Sequence, residues 1–134
     1  MNLYLDTSAL VALHVECAAL PLVTDTLANH PVACTSAVSL TEALAVVPRL
    51  TDEPVLQADL EDSIRLSWDH LAIVPLDQRC LDRAAELMRD QPLRLADALH
   101  LAAADRLPRP LTFLTLDPAQ IPVALSMGFD VVSA

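Results

Sequence analysis

The sequence predicts an α/β fold in which a parallel sheet is covered by helices on both faces. Short apolar runs, each bounded by Asp, Ser or Pro, recur along the chain, as is typical of buried strands. Between them the apolar residues change to a helical period. Strands that alternate with helices form parallel sheets with both faces buried. Because the 134 residues contain no linker rich in Gly or Ser, we expect a single domain over residues 1–134.

The elements follow from these two patterns. The expected strands are Leu3–Leu5, Val32–Cys34, Leu71–Val74, Leu111–Leu116 and Phe129–Val132. The expected helices are Thr7–Val15, Leu20–Asn29, Val38–Val47, one through Leu56 and Trp68, one through Leu81 and Met88, Leu95–Leu107 and Ala119–Met127. Pro21 suits a first helical turn, whereas Pro48 is expected to end or kink its helix because proline has no N–H.

The composition excludes several chemistries. Gly128 is the only glycine, so the chain contains neither a P-loop nor a G-x-G-x-x-G phosphate cradle. The absence of lysine excludes Schiff-base chemistry on a lysine. A net charge of −10 disfavours non-specific binding to nucleic acid, which depends on cationic side chains. A polyanionic substrate would need a metal cation or local arginines, and Arg49 and Arg94 are the best-placed candidates.

Cysteine usage and the N-terminus favour a cytoplasmic protein. Cys17, Cys34 and Cys80 form no C-x-x-C pair, so we expect small buried side chains and neither a disulfide nor a zinc site. The N-terminus has no basic region, and Asp6 interrupts the apolar stretch that a signal peptide would need. No apolar run reaches the roughly 20 residues of a membrane span, so no membrane association is expected.

Four acidic residues do not fit their surroundings. Asp6 and Asp117 each follow a strand, at the edge of a parallel sheet where ligands bind. Glu42 and Asp97 lie in helices that are otherwise apolar, where an unpaired carboxylate is costly. Each could make an ordinary ion pair or cap. Gathered in one crevice, they would bind a hard cation such as Mg²⁺ or Mn²⁺ and support phosphodiester hydrolysis.

The motifs that contain these acids resemble a known family. The segments "LDTSAL", "SLTEAL", "LRLADALHLAAA" and "FLTLD" occur in the order found in PIN-domain ribonucleases, especially VapC-type toxins of toxin–antitoxin pairs. The resemblance implies a three-layer α/β/α sandwich with a mostly parallel five-stranded sheet. It also implies an endoribonuclease dependent on Mg²⁺ or Mn²⁺, an RNA substrate, a homodimer and a cognate antitoxin.

The resemblance also assigns roles to residues. Asp6, Glu42 and Asp97 would be the three central metal-binding and catalytic acids, and Asp117 the more variable fourth. Glu42 would either bind the metal directly or act as a base through a bound water. Ser8 and Thr115 would orient the carboxylates by hydrogen bonds. The segment "PAQIP" after Asp117 departs from the expected run of helix-forming residues.

Some residues of the sequence also suggest other sites or functions. Asp77 also follows a strand, but it is better interpreted as a helix N-cap. His100 follows Asp97 by one helical turn, yet no other metal-ligating residue stands beside it in sequence, so a packed or hydrogen-bonded histidine is expected. A phosphatase of the haloacid dehalogenase type would need a lysine and an aspartate at position 8. A non-catalytic PIN-fold binding module is the other alternative.

Overall fold

The computed structural model describes residues 2–134 and contains five strands and seven helices within them. The strands are β1 (Asn2–Leu5), β2 (Ala33–Ser36), β3 (Ala72–Val74), β4 (Leu111–Leu114) and β5 (Asp130–Val132). The helices are α1 (Thr7–Ala12), α2 (Leu20–Ala28), α3 (Val38–Leu50), α4 (Pro54–Asp69), α5 (Gln78–Asp90), α6 (Leu95–Asp105) and α7 (Ile121–Ser126). Each lies where the sequence predicts an element of its type.

The five strands form one sheet in the order β3-β2-β1-β4-β5, and every neighbouring pair is parallel. The central strand is therefore β1, with Leu3 opposite Ala33 of β2 on one side and Thr112 of β4 on the other. The chain adds strands first on one side of β1 and later on the other. The predicted α/β sandwich is confirmed.

Two apolar cores cover the two faces of the sheet. Within β1, Tyr4 packs into the core formed with α5 and α6, whereas Leu3 and Leu5 pack into the core formed with α1, α3 and α4. This alternation is the period of two of a strand buried on both faces. Within residues 2–134, no helix is both long enough and apolar enough to cross a membrane.

Pro48 was expected to end or kink α3, and the helix does not end there but continues to Leu50. The ring removes one hydrogen-bond donor, but the N–H of Thr51 still closes the last turn on Val47 at 3.4 Å. The expectation for Cys17 was wrong. Cys17 is exposed, because it lies in the loop between α1 and α2, whereas Cys34 and Cys80 are buried as expected.

Gly128 has a structural reason to be glycine. It follows the C-cap of α7 with a φ of +84°, a left-handed conformation that is strained for other residues. Its N–H donates to Leu125 and that of Phe129 donates to Ala124, which together end the helix and lead into β5.

Candidate active site

A crevice of about 600 Å³ opens at the carboxyl ends of the central strands β1 and β4. In an open parallel sheet this is where strand order reverses and where ligands bind. All four singled-out acids line it, although they come from different parts of the chain. The polar and charged lining residues are Asp6, Thr7, Ser8, Glu42, Arg49, Arg94, Asp97, His100, Asp117 and Gln120.

Asp6 joins β1 to α1 and is the buried acid at the base of the crevice. Its Oδ1 accepts hydrogen bonds from Ser8 Oγ at 2.6 Å and from the N–H of Ala9 at 3.1 Å, so it is also the N-cap of α1. Its Oδ2 accepts a hydrogen bond from Thr115 Oγ1 at 2.6 Å. Ser8 and Thr115, the two residues predicted to orient a carboxylate, both contact Asp6.

The charge of Asp6 is poorly compensated. Burial raises its pKa, while the hydrogen bonds from Ser8 and Thr115 act in the opposite direction. Among residues 2–134, no Arg side chain forms an ion pair with it. A buried carboxylate that lacks a cation is a position at which a bound cation would be strongly stabilised.

Glu42 lies on α3 and reaches the crevice from the opposite side of the sheet to α6. Its Oε1 accepts hydrogen bonds from Thr7 Oγ1 at 2.6 Å and from His100 Nε2 at 2.7 Å. Partial burial would raise the pKa of Glu42, but these hydrogen bonds and the positive charge of Arg94 outweigh it and lower that pKa. Glu42 is therefore ionised at neutral pH.

Asp97 is buried in the first turn of α6, where the helix dipole favours a negative charge. Gln120 Nε2 donates to its Oδ1 at 2.9 Å, and Arg94 Nε donates to its Oδ2 at 3.3 Å. These two hydrogen-bond donors stabilise a carboxylate that the apolar surroundings of the helix alone would disfavour.

Asp117 follows β4, and its side chain is partly exposed. Its N–H donates to Thr115 Oγ1 at 3.0 Å, so a single threonine connects the backbone of Asp117 to the carboxylate of Asp6. Its Oδ2 accepts a hydrogen bond from Arg94 at 3.3 Å. The exposed guanidinium of Arg94 thus bridges Asp97 and Asp117.

Sequence reasoning missed two residues of the crevice. Thr7 was assigned no role, although it hydrogen-bonds Glu42. Gln120 lies in "PAQIP", the segment that departed from the expected pattern; it is buried, and its Oε1 has no hydrogen-bond partner within residues 2–134. No sequence signal indicated Gln120, because its role depends on the packing of α7 against α6. For Asp77 and His100 the expected interpretations hold: Asp77 caps α5, and His100 is buried and hydrogen-bonded.

Comparison with known proteins identifies the family. The sequence model of the PIN domain matches residues 3–124. The chain belongs to the PIN domain family. No curated protein sequence matches it significantly.

Solved structures share this PIN fold at low sequence identity. A toxin–antitoxin complex from Klebsiella pneumoniae superposes with a TM-score of 0.72 at 19% identity, covering 96% of this chain and 94% of that one. VapBC2 from Rickettsia felis, bound to a promoter DNA fragment, gives 0.73 at 14%, covering 100% and 99%. VapC20 from Mycobacterium tuberculosis, a toxin that cleaves the sarcin–ricin loop, gives 0.70 at 20%, covering 90% and 94%. At these identities the likeness shows the fold alone.

The donor set of this PIN domain fits a hard divalent cation. The crevice offers carboxylate oxygens and the unpartnered amide oxygen of Gln120, and oxygen is the ligand that Mg²⁺ and Mn²⁺ prefer. Within residues 2–134 no three acidic, histidine or cysteine side chains are arranged to hold one ion together. In this structure the acids are held by other partners: Arg94 hydrogen-bonds Asp97 and Asp117, while His100 and Thr7 hydrogen-bond Glu42.

Proposed function

We propose that this PIN domain is a metal-dependent endoribonuclease that acts as the toxin of a toxin–antitoxin pair. One observation carries the proposal. Four acids from four separate segments line a single crevice at the centre of the sheet, and the most buried of them, Asp6, has no cationic partner among the described residues. Such a cluster is costly without a cation and is suited to phosphodiester hydrolysis with one.

The residues that would hold Mg²⁺ or Mn²⁺ are the four acids of the crevice: Asp6, Glu42, Asp97 and Asp117. When bound, such an ion polarises a phosphoryl oxygen and lowers the pKa of a coordinated water. Ser8 and Thr115 fix both oxygens of Asp6 by hydrogen bonds, so its carboxylate cannot rotate.

Two charged residues of the crevice would act on the water and on the RNA: Glu42 as a base and Arg94 as a phosphate contact. Glu42 is ionised and its Oε1 is already fixed by two donors. Its Oε2 accepts no hydrogen bond from the described residues and can receive a proton from an attacking water. Arg94 is exposed at the rim and is the cation best placed to contact the phosphates of an RNA strand.

The partners that we propose follow from the family and from charge. Several structures that share the fold are toxins in complex with their antitoxins, so we propose a cognate antitoxin for this chain as well. From the resemblance to VapC-type toxins we also propose a homodimer and a cytoplasmic location. The net charge of −10 favours a protein partner that carries basic residues.

The decisive experiment is cleavage of a mixed cellular RNA pool by the purified protein in the presence of Mn²⁺. The control lanes contain EDTA, Asp6→Asn and Asp77→Asn. Asp77 is the matched control, because it also follows a strand and caps a helix but lies outside the crevice. We expect cleavage in the wild-type and Asp77→Asn lanes and a loss of more than roughly 100-fold with EDTA or Asp6→Asn.

Other outcomes separate the alternatives. Equal cleavage by wild type and Asp6→Asn would identify a contaminating nuclease and contradict the assigned site. If no lane shows cleavage, Mn²⁺ binding decides between a highly selective ribonuclease and a binding module. A wild-type protein that neither binds Mn²⁺ nor cleaves RNA is a binding module.

A further inference from the structure

Four side chains beside the acid crevice form one connected hydrogen-bond network. Tyr4 Oη lies 2.7 Å from His100 Nδ1, and His100 Nε2 lies 2.7 Å from Glu42 Oε1. Thr7 Oγ1 lies 2.6 Å from the same carboxylate oxygen and 2.9 Å from His100 Nε2. The four residues belong to β1, α1, α3 and α6, so the network connects a strand to three helices.

The donors and acceptors of this network can be assigned. The ionised Glu42 can only accept, so His100 Nε2 must carry a hydrogen to bind it. Complete burial raises the pKa of Tyr4, so its hydroxyl keeps its proton and can donate to His100 Nδ1. An imidazole that carries its hydrogen on Nε2 therefore satisfies every contact in the network.

Two other histidines have the opposite arrangement. His30 Nδ1 lies 2.7 Å from the carbonyl oxygen of Thr26, and His70 Nδ1 lies 2.8 Å from that of Leu66. A carbonyl oxygen can only accept, so both rings carry a hydrogen on Nδ1. These histidines bind the backbone of their own helix, whereas His100 connects side chains from different elements.

We propose that His100, held as the Nε2–H tautomer between Tyr4 and Glu42, is a positioning residue that holds Glu42 Oε1 and so directs the second carboxylate oxygen into the crevice. His100 lies one turn after Asp97 on α6. A single helix therefore carries one acid of the site and orients another on α3. The inference rests on the proposed function, because it assigns His100 a role in the same crevice.

The tautomer is measured directly by proton–nitrogen correlation NMR of the imidazole rings at about pH 8, where unperturbed histidines are neutral. We expect an Nε2–H pattern for His100 and an Nδ1–H pattern for His30 and His70. His100→Gln assigns the His100 signals by their disappearance. Tyr4→Phe keeps the ring but removes the hydrogen bond to His100 Nδ1. The Nε2–H pattern should persist, because Glu42 still accepts from Nε2, whereas the Nδ1 resonance should shift.

Mn²⁺ affinity, measured by calorimetry, tests the positioning role. His100→Leu removes the donor to Glu42 and should weaken Mn²⁺ binding roughly 10-fold or more, as changes beside metal ligands generally do. His100→Gln retains a donor near the position of Nε2 and should restore most of that affinity. His70→Gln is the control and should bind Mn²⁺ like wild type, because His70 lies outside the crevice.

The inference and the proposed function fail in different ways. Nδ1–H signals for His100, or Mn²⁺ binding by a folded His100→Leu that equals wild type, would overturn the inference and leave the nuclease in place. If His100→Leu does not fold, the wild-type spectrum still decides the tautomer, and an Mn²⁺ affinity of Tyr4→Phe equal to that of wild type would overturn the inference. A wild-type protein that binds no Mn²⁺ would overturn the proposed function and the inference with it.

Discussion

Two aspartates in this chain, Asp6 and Asp77, share one local position but differ in burial and in their charged partners. Asp6 follows β1 and Asp77 follows β3, and each caps the next helix by accepting a hydrogen bond of 3.1 Å from the N–H three residues on. Asp77 lies beyond an edge strand, is partly exposed and forms an ion pair with Arg106. Asp6 lies beyond the central strand and is buried among hydroxyl groups, with no such partner in residues 2–134.

An aspartate that follows a strand is therefore not enough to form the candidate site; the strand must also lie at the centre of the sheet. β1 is the central strand, and its neighbours on both sides bring further polar residues to its carboxyl end: Thr115 and Asp117 after β4, and Glu42 on the helix after β2. An edge strand such as β3 offers one neighbour, and its aspartate remains an ordinary cap.

The largest expected difference between Asp6 and Asp77 is in the stabilisation of the protein by bound Mn²⁺. At a Mn²⁺ concentration 100-fold above the dissociation constant, binding should stabilise the wild-type protein by about 2.7 kcal/mol. Asp77→Asn should show the same increase in Tm, and Asp6→Asn should show none. Thermal unfolding with and without Mn²⁺ measures this, and an equal response of the two variants would remove the distinction.

The second effect is a pH dependence in the metal-free protein. Burial raises the pKa of Asp6 above its ordinary value of 3.8, so ionising this carboxyl costs free energy in the folded state. That cost is absent below pH 3.8, grows as pH rises towards the raised pKa and is complete above it. Asp6→Asn removes the cost and retains acceptors for Ser8 and Ala9. The variant should therefore exceed wild type in stability at neutral pH.

Urea unfolding of both proteins across the acidic range measures this difference. It should disappear as pH falls below 3.8. The lowered pKa of Glu42 acts with the opposite sign, since its contribution is present above pH 4.5 and lost as pH falls through the lowered value. Glu42 is common to both proteins and cancels in the comparison. A difference that is constant with pH would show that Asp6 is not destabilised by its charge.

A third effect concerns Arg94, which neutralises Asp97 and Asp117 in the metal-free protein as Arg106 neutralises Asp77. Arg94→Gln leaves the two acids unpaired and should tighten Mn²⁺ binding roughly two- to fivefold, the size expected for exposed ion pairs. Arg65→Gln on α4 is the charge-matched control outside the crevice and should leave the affinity unchanged. Calorimetric titration decides, and weaker binding by Arg94→Gln would contradict competition between guanidinium and metal.

The smallest effect is expected at Asp77 itself. Asp77→Asn keeps the N-cap acceptor and should leave Tm within experimental error, whereas Asp77→Ala removes the cap and should lower Tm slightly. Neither substitution should alter RNA cleavage. Altered cleavage by Asp77→Asn would mean that the aspartate beyond the edge strand also takes part in function.

Much of the fold could be predicted from the sequence, because burial leaves a periodic signal. The short apolar run of β1 and the helical period of α4 and α5 identified the elements, and Asp, Ser and Pro marked the ends of the strands. The differences are local: Pro48 was expected to end or kink α3, and the helix does not end there, because it tolerates the loss of one donor near its last turn. Cys17 was expected to be buried, yet it lies in a loop whose packing has no periodic signal.

The sequence by itself also determined the candidate acids, because a carboxylate on an apolar helix or after a buried strand is anomalous without reference to any neighbour. Only the tertiary structure decided that these acids share one crevice, since the pairing of β1 with β4 joins segments more than 100 residues apart, as the contact from Thr115 to Asp6 shows. The network of Tyr4, His100 and Glu42 and the bridge formed by Arg94 depend on the same packing. The physical reason is that burial and local propensity are properties of single residues and short segments, whereas hydrogen bonds between distant side chains exist only once the helices have docked on the sheet.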